Sequence, residues 1–145
     1  MFDAGGDVTG IIPQFLTKRE IANRRGELIV TRDMHERKQR MFDLADAFVA
    51  LPGGVGTLEE VVEQMTWQQL GRHTKPVLLA NIDGFWEPLI ALLAHMRETE
   101  FIRASMDIDI LKAERVEDIV PRLRAAAARA PEGSKQMAPE LARKL

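Results

Sequence analysis

The chain has 145 residues, of which 46% are hydrophobic and 29% charged, with a formal net charge of −2 and a pI near 5.9. These values predict one globular domain and argue against a general affinity for nucleic acid or membrane surfaces. The absence of cysteine excludes disulfides, thiol catalysis and cysteine metal sites. No apolar run approaches the ~20 residues of a membrane span, and the first residues lack a signal-peptide pattern. We therefore expect a cytoplasmic protein.

Short apolar runs alternate with longer helical patterns along the chain. Strands are predicted at residues 7–12, 27–31, 47–51, 76–81 and 107–111. Helices are predicted at residues 13–23, 34–46, 57–70, 85–98 and 116–128. This alternation predicts an α/β domain with a Rossmann-like parallel sheet of about five strands and helices on both faces. The domain is expected to cover residues 1–130, and residues 131–145 have the composition of a disordered tail.

A glycine-rich turn joins the third predicted strand to the third predicted helix. Its sequence is Pro52, Gly53, Gly54, Val55, Gly56 and Thr57, followed by Leu58, Glu59 and Glu60. Such a junction offers backbone N–H groups and the positive end of a helix dipole to an anion such as phosphate. Glycine lets the backbone come close to that anion. The spacing matches neither a P-loop nor a dinucleotide fingerprint, whose third glycine is replaced by Glu59.

The glutamate at the end of this motif has two open interpretations. Thr57 and Glu60 have the spacing of a capping box, in which Thr57 caps the helix and Glu60 bonds back to the N–H of the cap. Alternatively, Glu60 is a functional carboxylate next to the bound anion.

Two cations border an apolar stripe on the predicted helix 34–46. The stripe consists of Met34, Met41, Leu44 and Ala45. Arg37 and Lys38 lie beside it, where burial is costly unless an anion meets them. They either extend to solvent, pair with neighbouring acidic residues, or bind an anion.

Two motifs carry a resemblance to a known family. Residues 52–60 resemble the PGGxGTxxE signature of the LOG family, the cytokinin riboside 5′-monophosphate phosphoribohydrolases long labelled lysine decarboxylases. Residues 34–41 are similar to that family's second motif, an Arg-Lys pair between methionines. The resemblance extends from about residue 3 to about residue 125. It implies that Arg37 and Glu60 are the catalytic pair.

The reaction that the resemblance implies is hydrolysis of the N-glycosidic bond of an N6-substituted AMP, without a cofactor, by a homodimer. The implied substrate- and phosphate-binding residues are Met34, Lys38, Pro52, Gly53, Gly54, Val55, Gly56, Thr57 and Glu59. Glu59 is a candidate contact for ribose hydroxyls or else a surface acid. A general nucleotide 5′-monophosphate nucleosidase and a non-catalytic nucleotide-binding protein stay open as alternatives.

The start of the chain leads to a further expectation. In the LOG family, roughly two strand–helix units precede this point, and they include another glycine-rich nucleotide-binding loop. We therefore expect an N-terminally incomplete domain with weak or no activity as the chain stands.

Other conspicuous residues suggest structural roles. His35, His73 and His95 are dispersed, which does not indicate a metal site. Trp67 is expected in a core or a subunit interface, and Met65 and Met96 are expected to fill a core.

Overall fold

The computed structural model of the protein describes residues 2–17, 26–102 and 109–129. The chain divides into two compact units, Met1–Ala45 and Asp46–Leu145. The strands are β1 Thr9–Pro13, β2 Glu27–Thr31, β3 Phe48–Ala50, β4 Val77–Ala80 and β5 Ile110–Ala113. The α-helices are α1 Met34–Leu44, α2 Val55–Gln69, α3 Glu87–Glu98 and α4 Val116–Ala127. All recorded strand pairs are parallel, so the predicted α/β class is confirmed.

Among its described residues, the first unit consists of a parallel strand pair with helix α1 packed against it. Thr9 lies opposite Glu27 and Pro13 opposite Thr31, and α1 contacts both strands. Asp33 caps α1 by accepting a hydrogen bond from the Glu36 backbone N–H at 2.8 Å, which explains why the helix begins at Met34 as predicted.

The second unit is a three-stranded sheet in the order β3-β4-β5. The central strand β4 is buried along its whole length, and its side chains alternate between two clusters. Val77 and Leu79 pack with α2 and α3 residues, whereas Leu78 and Ala80 pack with β5 and α4 residues. The continuous apolar run therefore reflects a strand covered by helices on both faces, as predicted.

The strands form two sheets where the sequence predicted one of about five strands. Pairing gives a two-stranded sheet and a three-stranded sheet. The last strand also differs: it covers Ile110–Ala113 instead of 107–111, with residues 107 and 108 outside the described part of the chain. Lys112 breaks the apolar pattern, yet its backbone pairs with Leu79, so the strand continues past the point at which the hydrophobic signal ends.

Several helix predictions also need correction. Pro13 belongs to β1, and Gln14–Leu16 forms a single 3-10 turn. The rest of the predicted helix 13–23 falls partly on residues 18–25, which lie outside the described residues, as does the tail 131–145. A 3-10 turn at Ile82–Gly84 precedes α3, which begins at Glu87 instead of residue 85. Within the described ranges, no helix is both long and apolar enough to cross a membrane.

Candidate active site

The glycine-rich motif lies where the sequence placed it, at the carboxyl end of β3. After Ala50 the chain turns through Leu51 to Gly54, which is the extended N-cap of α2 (φ −85°, ψ −164°). The first intrahelical hydrogen bond runs from the Leu58 N–H to the Gly54 carbonyl at 3.1 Å. The N–H groups of the three residues before Leu58 therefore precede the helical ladder and point toward the end of the helix. Together with the helix dipole, they form an anion-binding geometry.

The capping-box interpretation of Thr57 and Glu60 is wrong. The helix begins two residues earlier than predicted, at Val55, and its N-cap is Gly54, which has no side chain to cap with. Thr57 is thus the third helical residue, and Glu60 lies well beyond the position that a capping-box glutamate occupies. Glu60 is half-buried and does not cap the helix.

The three glycines of the loop differ in whether a side chain would fit at their positions. A Cβ at Gly53 would lie 2.9 Å from the Thr57 Cβ and 3.2 Å from its Cγ2, so packing requires glycine there. Apart from its chain neighbours and the backbone of its own helix, a Cβ at Gly54 or Gly56 would meet no described atom within 4 Å. The left-handed backbone conformation that favours glycine occurs at Gly5, Gly26, Gly71 and Gly84, and not at these positions. Open space therefore surrounds two backbone positions of the candidate anion site.

The second motif lies on α1 in the other unit. Arg37 is half-buried, and its Nε donates a hydrogen bond to the Ile11 carbonyl of β1 at 3.1 Å. This bond fixes the guanidinium against the sheet. Met34 and Lys38 are also half-buried and lie near Arg37 along the same helix.

The acidic neighbours of these cations have structural tasks. Asp33 caps α1, and Glu36 pairs with Arg32 at 3.0 Å. Hydrogen bonds from Arg32 lower the pKa of the Glu36 carboxyl. The predicted inward stripe is only partly correct, because Leu44 at the end of α1 is 60% exposed.

The predicted site residues therefore fall into two sets. Unit one contains three of them on α1: Met34, Arg37 and Lys38. Unit two contains the rest, on the loop and in the first two turns of α2: Pro52, Gly53, Gly54, Val55, Gly56, Thr57, Glu59 and Glu60. Glu59 is exposed, in contrast to the half-buried Glu60.

Sequence reasoning missed Trp86, which bonds to the strand end before the loop, and Asn81, which bonds to Trp86. The indole Nε1 of Trp86 donates to the Ala50 carbonyl at 3.2 Å, and the Trp86 backbone N–H donates to Asn81 Oδ1 at 2.7 Å. The sequence offered one signal for these contacts: Asn81 is a polar residue that directly follows a fully apolar strand. A polar side chain buried at such a position needs hydrogen-bond partners.

Met65, Met96 and Trp67 were expected to pack in a core or an interface. Met65 is buried in the core, and Met96 packs against the same cluster. Trp67 is half-buried and stacks with the Arg72 guanidinium, 4.4 Å from the ring centroid. Over the ranges that the structure describes, no group of three or more His, Asp or Glu side chains is arranged to hold a metal ion.

Comparison with known families agrees with the two motifs. The sequence profile of the family described as "possible lysine decarboxylase" matches residues 1–123. The chain belongs to this family. The resemblance to the LOG proteins that the motifs indicated is thereby confirmed.

Curated relatives cover most of this chain. It is 43% identical over 124 residues to the rice (Oryza sativa subsp. japonica) protein named probable cytokinin riboside 5′-monophosphate phosphoribohydrolase LOGL1, covering 85% of the chain and 56% of the relative. It is 44% identical over 124 residues to cytokinin riboside 5′-monophosphate phosphoribohydrolase LOG5 of Arabidopsis thaliana, covering 85% and 54%. For LOG2 of Arabidopsis thaliana the identity is 48% over 104 residues, covering 71% and 49%. The chain spans about half the length of the curated relatives it matches.

Proposed function

We propose that this chain carries the phosphate-binding loop and the catalytic residues of a phosphoribohydrolase that acts on cytokinin riboside 5′-monophosphates. The relatives bear the name of this activity. The reaction adds water to an N6-substituted AMP, breaks the bond between C1′ and the base, and yields the free base and ribose 5-phosphate.

One observation carries the proposal, namely the open space at Gly54 and Gly56. Gly56 lies in the first turn of α2 and does not have a positive φ, so alanine there would favour the helix by up to about 1 kcal/mol. Neither the backbone conformation nor the packing of the described residues calls for glycine at this position. Close approach of a substrate phosphate to the backbone N–H groups does call for it.

The carboxylate and the guanidinium supply the chemistry in this proposal. Departure of the base leaves positive charge on the ribose in an oxocarbenium-like transition state. Glu60 stabilises that charge or takes a proton from the attacking water. Arg37 orients the nucleotide through its planar set of donors. The exposed Glu59 is assigned to the ribose hydroxyls.

The descriptive name of the family suggests amino-acid decarboxylation, which requires different chemistry. A Schiff-base lysine needs a lowered pKa to act as a nucleophile. Hydrogen bonds to Glu87 and to Glu114, both at 3.1 Å, raise the pKa of Lys112. The pKa of Lys112 is thus shifted in the direction opposite to that of a Schiff-base lysine.

We also propose a homodimer that assembles through α2. Val55, Leu58, Val62 and Leu70 form an exposed apolar series along this helix. The first three are spaced by three and four positions and so lie on one face. This face begins at the glycine loop, so a second copy bound there would lie beside the candidate site.

Because nucleoside 5′-monophosphates are formed inside cells, a cytoplasmic location is part of this proposal.

The experiment that tests the proposed function is a substrate panel. In a protein extended to the length of the curated relatives, free base should be released from N6-alkylated AMP and AMP, and hardly at all from the matching nucleosides, because the loop binds the 5′-phosphate. Equal rates on AMP, GMP and CMP would instead indicate a general 5′-monophosphate nucleosidase. Nucleotide binding without release of base would indicate a non-catalytic binding protein.

A further inference from the structure

A series of hydrogen bonds crosses the carboxyl edge of the three-stranded sheet. The Asn81 backbone N–H donates to the Ala113 carbonyl of β5 at 2.7 Å. Asn81 Oδ1 accepts from the Trp86 backbone N–H at 2.7 Å, and the Trp86 indole N–H donates to the Ala50 carbonyl of β3 at 3.2 Å. The series therefore runs from the last residue of β5, past β4, to the last residue of β3.

Every group in this series is removed from water. Asn81 is 2% exposed, and Trp86 and Ala50 are each 4% exposed. A buried carbonyl that loses its donor gains no compensating water, so the indole bond matters more than an exposed bond would. Ala50 is also the residue from which the glycine loop departs, and Leu51 to Gly53 separate it from the N-cap Gly54. Trp86 thus fixes the origin of the loop.

The tryptophan is itself held from several sides. Asn81 Nδ2 donates to Glu87 Oε1 at 2.6 Å, and Lys112 Nζ donates to the same oxygen at 3.1 Å. These contacts orient the Asn81 amide so that its oxygen meets the Trp86 N–H. The ring of Phe85 meets the Trp86 indole edge-on, with centroids 5.0 Å apart. The indole therefore has a defined position from which to bond to Ala50.

We infer that Trp86 is a positioning residue for the phosphate-binding loop, and that Asn81 holds it in place. The inference rests on the proposed function, because it assigns to Trp86 the placement of the N–H groups that receive the 5′-phosphate. Hydrogen bonds weaken steeply with poor distance and angle. A displacement of about 1 Å at a positioned group can cost up to about 10²-fold in activity.

A direct test follows the loop amides by NMR in the protein labelled with ¹⁵N. Inorganic phosphate and AMP are titrated while the amide signals of Gly54, Gly56 and Thr57 are recorded. Trp86→Phe removes the indole donor, and replacement of Trp86 by 3-benzothienylalanine removes it while keeping the two-ring shape. We expect both proteins to bind phosphate and AMP roughly tenfold more weakly than the unaltered protein.

A matched control separates positioning from general loosening of the core. Leu93 is buried on α3 in the cluster that contains Trp86, but it makes no hydrogen bond through its side chain. Leu93→Ala should lower the melting temperature and leave the dissociation constants for phosphate and AMP unchanged. Weaker binding in the two Trp86 replacements but not in Leu93→Ala supports the inference.

Three results would overturn it. Unchanged affinity in the 3-benzothienylalanine protein shows that the indole donor does not position the loop, even where Trp86→Phe fails to fold. Equal weakening by Leu93→Ala assigns the effect to core stability alone. If the loop amides of the unaltered protein do not respond to phosphate or AMP, phosphate binding itself is refuted. That result concerns the proposed function, and it is known before any variant is measured.

Discussion

The Thr57 side chain lies so close to Gly53 that a Cβ added to this glycine would lie 2.9 Å from the Thr57 Cβ. The loop after β3 is therefore folded tightly against the first turn of α2. The neighbouring Gly54 and Gly56 have open space instead, as far as the described residues extend. The loop combines one glycine that packing requires with two that leave room for a ligand.

This contrast predicts opposite effects of one substitution on stability and binding. Gly56→Ala should raise the free energy of unfolding by up to about 1 kcal/mol, because alanine is the better helix former. The new methyl group should weaken AMP binding by at least about tenfold, because it occupies the approach to the backbone N–H groups. Thermal unfolding and calorimetric titration with AMP measure the two effects.

The control for this prediction is Gly71, at the other end of the same helix. Gly71 has φ +69°, and its N–H donates to the Gln68 carbonyl at 2.9 Å while the Arg72 N–H donates to the Trp67 carbonyl at 2.9 Å. This is a Schellman motif, so Gly71→Ala should lower stability without changing the affinity for AMP. Affinity retained in Gly56→Ala would contradict the assignment of the open space to phosphate.

A second prediction concerns the guanidinium of α1. Arg37→Lys keeps the charge but removes the Nε bond to the Ile11 carbonyl and the planar set of donors. Turnover should fall about 10- to 100-fold, and stability should fall by about 1 kcal/mol. Arg40→Lys, at an exposed position of the same helix, is the control and should behave as the unaltered protein. Full turnover in Arg37→Lys would remove Arg37 from the catalytic pair.

A third prediction concerns pH. His73 is 3% exposed, its Nδ1 accepts the Lys75 backbone N–H at 3.1 Å, and its Nε2 lies 3.1 Å from the Gln64 carbonyl. These partners assign the proton to Nε2 in the neutral ring. Burial lowers the pKa of His73 from its ordinary 6.5, and the charges of Lys75 and Arg72 act in the same direction, whereas the bond to Gln64 opposes them.

The sign of the effect follows from proton binding. Below pH 6.5 the unfolded chain binds a proton at His73 that the folded protein resists, so stability falls as the pH decreases toward the folded-state pKa. His73→Gln, which cannot titrate, should show a shallower loss of stability between pH 7.5 and about pH 5. Denaturant unfolding at several pH values measures the difference, and identical slopes in both proteins would exclude His73 as the cause.

A fourth prediction tests the proposed α2 interface. Val62→Asp places a charge in the middle of the exposed apolar face, where burial of an unpaired carboxylate is costly. The variant should elute as a monomer in size-exclusion chromatography with light scattering, whereas the unaltered protein should elute as a dimer. Leu92→Asp places the same charge at an exposed position on α3 and should leave the dimer intact. A dimer that survives Val62→Asp must use another face.

Local patterns predicted the elements that carry strong local signals. The continuous run Val77–Ala80 indicated a buried parallel strand, and the apolar stripe beginning at Met34 indicated a helix. The start of α2 was misplaced because Thr57 looks like a cap, whereas the actual cap is Gly54, which carries no side-chain signal.

Long-range contacts had no local signal. Trp86 bonds to a carbonyl 36 residues earlier in the chain, and no periodicity marks such a pair. In the same way, the charge of Lys112 suggests that the strand ends before it, yet Lys112 lies within β5. Its backbone pairs with Leu79, and its side chain bonds to Glu87. The motifs could therefore locate the loop, but not the residues that hold it.

The central claim is that Glu60 acts in hydrolysis of the N-glycosidic bond, and its most direct test is the rate of base release by Glu60→Gln. The substitution keeps the size of a half-buried side chain and removes its charge. Glu98→Gln, at the exposed end of α3, serves as the control. In a protein extended to the length of the curated relatives, we predict that release of base from N6-alkylated AMP falls about 10²-fold or more in Glu60→Gln, with stability changed by less than about 1 kcal/mol. A rate within a few-fold of the unaltered protein would contradict the catalytic role of Glu60.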